Sequence, residues 1–221
     1  MDDRRDSNST SSNGPPSGRL RQALKLQNRE AYRDAILDAA EQLCARGSCQ
    51  EAKMTDIAEI VGVSVGTIYN YFSSKDDVFE SLFERGRNQF FELVESPIPA
   101  EGPLERLHVT LDRTFGFIEE HGPGFTTYLR LGAHEVSETS HFEKLGGQQD
   151  RTRYTARLES LLREGAQAGL VRADVDTTVL AAGLYSLMNG LVFAWINSAQ
   201  SGLVRNVPLL LKLFFEGAGA K

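Results

Sequence analysis

Apolar residues recur every three or four positions along most of this chain, a spacing that predicts amphipathic helices, and no run alternates like a strand. Residues 1–18 are the exception, because they are rich in Ser, Asn, Gly and Pro and carry no apolar period. We therefore expect an all-α protein whose helices begin near Gln27, behind a disordered tail.

Two short helices joined by a tight turn are predicted between Thr55 and Lys75. Gly62 can adopt the left-handed conformation that ends a helix, and Ser64 can cap the next helix through its hydroxyl. The buried sides of the two helices are predicted from apolar residues at helical spacing: Ile57, Ala58, Val61, Ile68 and Phe72. This arrangement is typical of a helix-turn-helix, whose second helix lies in the major groove of DNA.

A longer helix is predicted on each side of this pair. The first runs from about Gln27 to Arg46, and the second starts at Ser74 and carries an apolar stripe that reaches Phe90. A linker follows at Ser96-Pro97-Ile98-Pro99. We expect three parts: a disordered tail with a basic arm (1–26), a helix-turn-helix domain that includes the start of the connecting helix (27–92), and a second helical domain (93–221).

The second domain contains further helices, predicted from apolar stripes with start and stop signals. They are a helix from Pro103 to the break at residues 121–124, a short helix over residues 125–135, a long helix best defined from Asp150 to Gly169, a helix that Asp174 or Asp176 caps and that reaches Ala199, and a last helix opened by Pro208.

One uncharged run, from Thr177 to Val204, is long enough to cross a membrane. It contains polar residues such as Tyr185 and Asn189, and the rest of the chain has the charge density of a soluble protein. We therefore expect a buried helix here. The N-terminal residues have no apolar stretch like that of a signal peptide, so we expect a cytoplasmic protein without a membrane partner.

The net charge of −6 argues against a protein that coats nucleic acid indiscriminately. Between Arg19 and Arg33, however, five cations accompany the single acid Glu30. Two interpretations stay open for this basic arm: a solvated face, or contact with DNA phosphates or the minor groove.

The sequence gives only weak signals for metal-binding, redox or catalytic sites. His134, Glu138 and His141 have the spacing of metal ligands on one helix face, but their Ser and Thr neighbours favour a solvated segment. Cys44 and Cys49 are too few for a secreted disulfide scaffold, and a redox role for them is a side hypothesis. We find no catalytic, metal-binding or cofactor motif, and we expect no enzyme.

The segment VGVSVGTIYNYFSSKDDVFESLF resembles the DNA-binding core of the tetracycline-repressor (TetR) family, in the pattern G-V-S-x-G-T-x-Y-x-Y-F-x-x-K. The resemblance implies an N-terminal three-helix DNA-binding domain and a C-terminal helical domain that binds a ligand and dimerises. It also implies that Thr67, Tyr69 and Lys75 contact phosphates. Residues implied to lie near base edges are Val65, Gly66, Asn70 and Tyr71, and the wider set of expected DNA contacts adds Arg33, Lys53, Thr55 and Ser64.

The chemistry of these side chains agrees with the resemblance. Asn can read adenine, Val can touch a thymine methyl group, and hydroxyls hold phosphates. The predicted recognition helix contains no arginine, so strong guanine readout would have to come from Lys53 or the basic arm. Lys53 also stands where the family often has a capping Thr, which puts the usual cap of the preceding helix in doubt.

Apolar and aromatic residues of the second domain could line a ligand pocket. The candidates are Phe115, Phe117, Phe125, Tyr128, Leu129, Phe142, Tyr154, Met188 and Trp195. Small residues between Ala181 and Ala194 suit close helix packing, and with Phe214 and Phe215 they indicate a two-fold, four-helix dimer interface.

The sequence thus predicts a homodimeric transcription regulator, a repressor released from a palindromic operator by a small apolar or aromatic molecule. The alternative is a helical ligand carrier or an enzyme derived from a regulator that no longer binds DNA. Binding to operator DNA distinguishes the two.

Overall fold

The computed structural model describes residues 17–46, 51–122, 147–197 and 202–218, and these form α-helices with no β-strand among them. The all-α prediction is confirmed. The helices are α1 (Ser17–Ala45), α2 (Met54–Val61), α3 (Val65–Tyr69), α4 (Lys75–Glu95), α5 (Pro103–Glu120), α6 (Gly147–Gln167), α7 (Thr177–Asn197) and α8 (Val207–Ala218), with a 3-10 turn at Val204–Asn206 before α8.

The first helix is longer than predicted, because α1 begins at Ser17 and not near Gln27. The described part of the basic arm is therefore helical and not a disordered tail. The physical reason is composition: residues 19–26 are Arg, Leu, Gln, Ala and Lys, all strong helix formers, and no Gly or Pro interrupts them. The predicted helix over residues 125–135 lies outside the described residues.

The bounds of α2, α3 and α4 follow the start and stop signals predicted from the sequence. Gly62 has φ 77° and ends α2, and the Ser64 hydroxyl accepts a hydrogen bond from the Thr67 N–H at 3.1 Å. The Ser74 hydroxyl caps α4 in the same way, accepting from the Asp77 N–H at 3.1 Å. Of the two candidate caps for α7, Asp176 is the one that accepts from a helix N–H.

Two clusters of buried residues form along the chain. One joins α1, α2, α3 and the first turns of α4, with Ile36, Ile57 and Ile68 fully buried. The other joins the last turns of α4 to α5, α6, α7 and α8. Helix α4 belongs to both, because Val78 packs in the first cluster and Val94 in the second. Its 21 residues are thus a continuous connection between the two cores.

The C-terminal end of α4 is held by an arginine of α5. The Arg113 guanidinium donates to the Ser96 carbonyl at 2.9 Å, to the Ser96 hydroxyl at 2.8 Å and to the Leu93 carbonyl at 3.1 Å. Carbonyls at a helix C-terminus lack partners within the helix, so a cation there satisfies them and complements the helix dipole. This end of α4 is therefore fixed to the second core.

Helix α7 is not the buried helix that was predicted. By length and composition it could cross a membrane, with a mean hydropathy of 1.7 over Thr177–Ile196, but a single such helix is weak evidence for a membrane protein. Only one face packs on the second core, while Val179, Leu187 and Phe193 are exposed in the single chain. The apolar pattern was correctly located, but a single chain does not cover it.

Gly62 gives a test of the turn between α2 and α3. An added Cβ would meet nothing within 4 Å, so the cost of Gly62→Ala is conformational only. We expect a loss of about 1 to 2 kcal/mol in the free energy of unfolding, because an L-residue is disfavoured at positive φ. Gly86→Ala is the matched control: it is also sterically free, but it lies inside α4 and should gain about 0.5 to 1 kcal/mol. Urea unfolding curves measure both, and equal effects would contradict the assignment.

Candidate DNA interface and effector cavity

The helix-turn-helix presents α3 with one side buried and the other open to solvent. Ile68 and Phe72 are almost fully buried, as predicted. The rest of the segment faces outward to differing degrees: Ser64, Gly66, Tyr69 and Asn70 are exposed, and Val65, Thr67 and Tyr71 are half-buried. The residues predicted to contact DNA through α3 are therefore accessible together on one short helix and its ends.

Cations flank α3 but are absent from it. Residues 54–74 contain no Lys or Arg; Lys53 precedes α2 and is exposed, and Lys75 begins α4 and lies near the Phe79 ring. Thr55, on the first turn of α2, is also exposed. Charge-assisted phosphate contacts near this helix pair can thus come from its two ends, while α3 itself offers hydroxyls, an amide and backbone N–H groups.

The start of α2 confirms that Lys53 does not supply a side-chain cap. Instead the Asp56 carboxylate, in the first turn, accepts from the Lys53 backbone N–H at 2.8 Å. This is the half of a capping box that reaches back from the third helical residue. The Lys53 side chain is exposed, so its ammonium is accessible to a ligand outside the helix.

Arg33 differs from the other predicted DNA contacts, because its guanidinium is engaged within the protein. One nitrogen donates to the Tyr71 carbonyl at 2.9 Å, and the guanidinium carbon lies 4.3 Å from the centre of the Phe72 ring. The structure therefore places Arg33 behind the end of α3.

An ionic cluster links the first core to the end of α5. Arg85 of α4 donates to Asp38 at 2.6 Å and to Glu41 at 3.1 Å, both on α1. The other oxygen of Glu41 lies 2.9 Å from Nδ1 of His121, the residue that follows α5. Glu41 thus joins three elements, and all three of Glu41, Arg85 and His121 border a cavity.

That cavity encloses about 540 Å³ and extends along α4 from Asp77 to Phe91. This volume is typical of a small-molecule site. Towards the first core most of its lining is charged, with Glu41, Asp77, Glu80, Glu84, Arg85 and Arg87 beside the apolar Leu82 and Phe83. Within the second core it is apolar and aromatic, with Phe90, Phe91, Phe117, Ile118, Tyr154, Tyr185, Met188 and Val192. The described lining therefore changes from mostly charged near the first core to mostly apolar within the second core.

A neutral phenol sits in the apolar part. The Tyr154 hydroxyl lies 2.8 Å from the Thr114 hydroxyl, and both groups are buried. Burial raises the pKa of Tyr154 above its ordinary value, since a phenolate would lose its hydration there. At the charged part, burial raises the pKa of the Asp150 carboxyl, against the opposing effects of Arg87 and Arg153. The cavity can therefore offer a hydroxyl pair deep inside and ionic groups nearer the first core.

The predicted pocket residues divide into three groups. Tyr154 and Met188 line the cavity, as does Phe117. Phe115 is instead fully buried in the second core, and Trp195 packs on Gly122, where an added Cβ would lie 2.7 Å from its ring. The remaining candidates, Phe125, Tyr128, Leu129 and Phe142, lie outside the described residues.

Several lining residues were missed by the sequence analysis. Tyr185 and Asn189 were noted only as polar residues that argue against a membrane span, and Phe90 was expected to pack in its helix and affect induction, not to line the pocket. Polar residues inside an otherwise apolar helix were the available signal, because such groups need a partner or a cavity.

Candidate metal and redox residues add little to this site. Within the described ranges no cluster of His, Cys, Asp and Glu could hold a metal ion, and His134, Glu138 and His141 lie outside them. Cys44 is buried in the first core and is not a free thiol; Cys49 also lies outside.

Comparisons with known proteins agree with this architecture. Residues 36–82 match the family described as bacterial regulatory proteins, tetR family. The fatty acid metabolism regulator protein of Bacillus subtilis is 28% identical over 195 residues, which cover 86% of this chain and 97% of that protein. The transcriptional repressor KstR of Rhodococcus jostii is 35% identical over 90 residues, 41% of this chain and 42% of its own length.

A solved structure extends the match in three dimensions. The fatty acid degradation regulator FadR of Bacillus halodurans superposes with a TM-score of 0.66 and 26% identity, over 82% of this chain and 93% of that one. The match at residues 36–82 covers the helix-turn-helix, and the longer matches cover the helical domain with its cavity. The chain belongs to the TetR family, and it is a DNA-binding, ligand-responsive transcriptional regulator.

Proposed function

We propose that this protein is a cytoplasmic repressor that binds a palindromic operator as a homodimer and leaves it when an elongated amphipathic molecule fills the cavity. The observation that carries the proposal is the path of α4, which borders the cavity from Asp77 to Phe91 and begins six residues after α3 ends at Tyr69. A non-enzymatic role fits this proposal, since the relatives named above are regulators.

The proposed DNA contacts follow from accessibility and chemistry. Thr67, Tyr69 and Lys75 would hold phosphates, and Val65, Gly66, Asn70 and Tyr71 would lie at base edges. The exposed cation of Lys53 and the hydroxyls of Thr55 and Ser64 would extend the backbone contacts. Two copies related by a two-fold axis would place their α3 helices in successive major grooves, about 34 Å apart.

The shape of the cavity supports a ligand with a long apolar part and a polar head. From Asp77 to Phe91 the cavity follows about 21 Å of helix, at 1.5 Å per residue. The apolar part of its lining would hold a hydrocarbon chain, and Arg85 and Arg87 would pair with an anionic head group. Two relatives are named as regulators of fatty acid metabolism or degradation, which makes fatty acids and their thioesters the first compounds to test.

The test of this function combines DNA and ligand. We expect the full chain to protect a palindrome in the DNA upstream of its own gene, and palmitate or palmitoyl-coenzyme A to abolish the footprint. Decanol and coenzyme A serve as controls for a tail alone and a head group alone. Binding of these lipids without any footprint would favour the alternative, a carrier or enzyme derived from a regulator.

The homodimer is proposed from the uncovered face of α7 and α8. Val179, Leu187 and Phe193 of α7 are exposed, and so are Leu209 and Leu213 of α8. Gly183 and Gly190 have open space around a would-be Cβ, so a neighbouring helix could approach closely there. Several large apolar side chains exposed on two helices are typical of a protein–protein interface. Two copies would bury these side chains in a four-helix bundle.

Acidic substitutions on this face of α7 should separate the subunits. We expect Leu187→Asp combined with Phe193→Asp to give a monomer, because each carboxylate would be desolvated in the interface. Leu170→Asp is the matched control, since Leu170 is also exposed but precedes α7. Light scattering after size exclusion measures the mass. A variant with two substitutions that remained dimeric would contradict this interface.

The coupling between ligand and DNA is proposed to run through Glu41. The ligand and α3 share no residue, so the ligand acts only by favouring one of two arrangements of the first core relative to the second. Glu41 borders the cavity, binds Arg85 of α4 and meets His121 at the end of α5. A ligand head group beside Glu41 would compete with these contacts and allow α4 to pivot.

Glu41→Ala should therefore weaken the ligand-induced release from the operator more than it weakens ligand binding. We expect the ratio of operator affinities without and with palmitoyl-coenzyme A to fall by about fivefold or more, the lower range of allosteric coupling. Asp38→Ala is the control, because it removes another partner of Arg85 but leaves His121 in place. Spin labels at position 70 of both subunits measure the separation of the α3 helices. An unchanged separation during release from DNA would refute the pivot.

A further inference from the structure

We infer that Arg33 is a positioning residue that braces the recognition helix from behind and does not bind phosphate. The inference rests on the DNA-binding role of α3 and goes beyond it by assigning operator discrimination to a residue outside the interface.

Helix α3 needs such a brace because it is very short. Its five residues, Val65–Tyr69, cannot form a stable helix alone, since nucleation is costly and few hydrogen bonds follow. Its first turn is fixed by the Ser64 cap. After Asn70 the chain continues in tight turns, with the Tyr71 and Phe72 N–H groups both donating to the Ile68 carbonyl. The carbonyls beyond Ile68 then need partners from elsewhere.

Arg33 provides that partner and connects α1 to the turn after α3 and to α4. From α1, its Nη1 donates to the Tyr71 carbonyl at 2.9 Å, and its Nη2 lies 3.5 Å from the Ser81 hydroxyl on α4. Its guanidinium also stacks over the Phe72 ring at 4.3 Å. A planar group with donors in a fixed fork suits this combination of contacts, which a lysine ammonium cannot reproduce.

The neighbouring residue reinforces the same end of α3. The Tyr32 and Tyr71 rings stack with their centres 5.6 Å apart and an angle of 25° between their planes. Residues 32 and 33 of α1 therefore hold the side chain and the carbonyl of residue 71, one position after Asn70. A shift of this end would move Asn70 relative to base edges, where hydrogen-bond geometry decides specificity.

The two roles of Arg33 predict different binding data. A phosphate contact contributes equally to all duplexes, and its loss lowers the salt slope by about 0.9. A brace increases the affinity for the operator only, and its loss leaves the salt slope unchanged. A lysine would preserve much of a phosphate contact but not the brace.

The experiment measures fluorescence anisotropy of the full-length protein on its footprinted operator and on a scrambled duplex of equal length, over a series of salt concentrations. We expect Arg33→Gln and Arg33→Lys both to weaken operator binding by about tenfold, the effect of one lost charged hydrogen bond, with scrambled DNA changed by less than about twofold. Arg46→Gln removes an equal charge just after α1 and controls for net charge. Lys75→Ala, at a proposed phosphate contact, provides the reference for a reduced slope.

Tyr32→Leu gives an independent test if the Arg33 variants do not fold by circular dichroism. It removes the stacked ring without a change of charge, and we expect the same loss of operator preference at an unchanged slope. A reduced slope in Arg33→Gln that Arg33→Lys restores would overturn the inference, as would full operator preference in Tyr32→Leu. A wild-type protein without operator preference would instead refute the proposed function.

Discussion

Helix α4 must pack on two cores at once, and the rest of the structure depends on this constraint. Its first turns bury Val78 and Leu82 with the helix-turn-helix, and its last turns bury Phe91 and Val94 with the helical domain. Close-packed interiors deform little, so a helix shared by two of them transmits a displacement more readily than it absorbs one. The side-chain contacts between the cores therefore decide how far they can rotate about α4.

The contacts between the cores are ionic, whereas the contacts that hold the end of α4 within the second core are aromatic. Arg85, Glu41 and His121 connect the first core to the end of α5, while Phe90 contacts the rings of Phe117 and Tyr154 inside the second core. Half-exposed ionic contacts are individually weak and easily replaced by a polar ligand or water, whereas buried rings are costly to separate. This difference makes the ionic contacts the natural place for a change of arrangement.

The sequence predicted the elements whose signals are local, and it failed where partners are distant. Gly62, Ser64 and Ser74 act at their own helix ends, so their roles in the fold were readable from neighbouring residues. The hydrogen bond from Arg33 to the Tyr71 carbonyl could not be predicted, because nothing near Arg33 in sequence indicates a partner 38 positions away. The cavity was predicted only in part, because aromatic residues in the core and in the lining, such as Phe115 and Phe117, have the same pattern. The start of α1 was misplaced, although residues 19–26 are all strong helix formers.

The absence of cations between residues 54 and 74, in a chain of net charge −6, bears on how the regulator distributes itself over a genome. Binding to random DNA is almost entirely electrostatic, and a bacterial chromosome offers millions of such competing sites. A helix pair with cations only at its two ends, Lys53 and Lys75, adds little to binding at those sites, so fewer copies of the protein are sequestered away from the operator. Low abundance can then suffice for control, at the cost of a search with little sliding along the duplex.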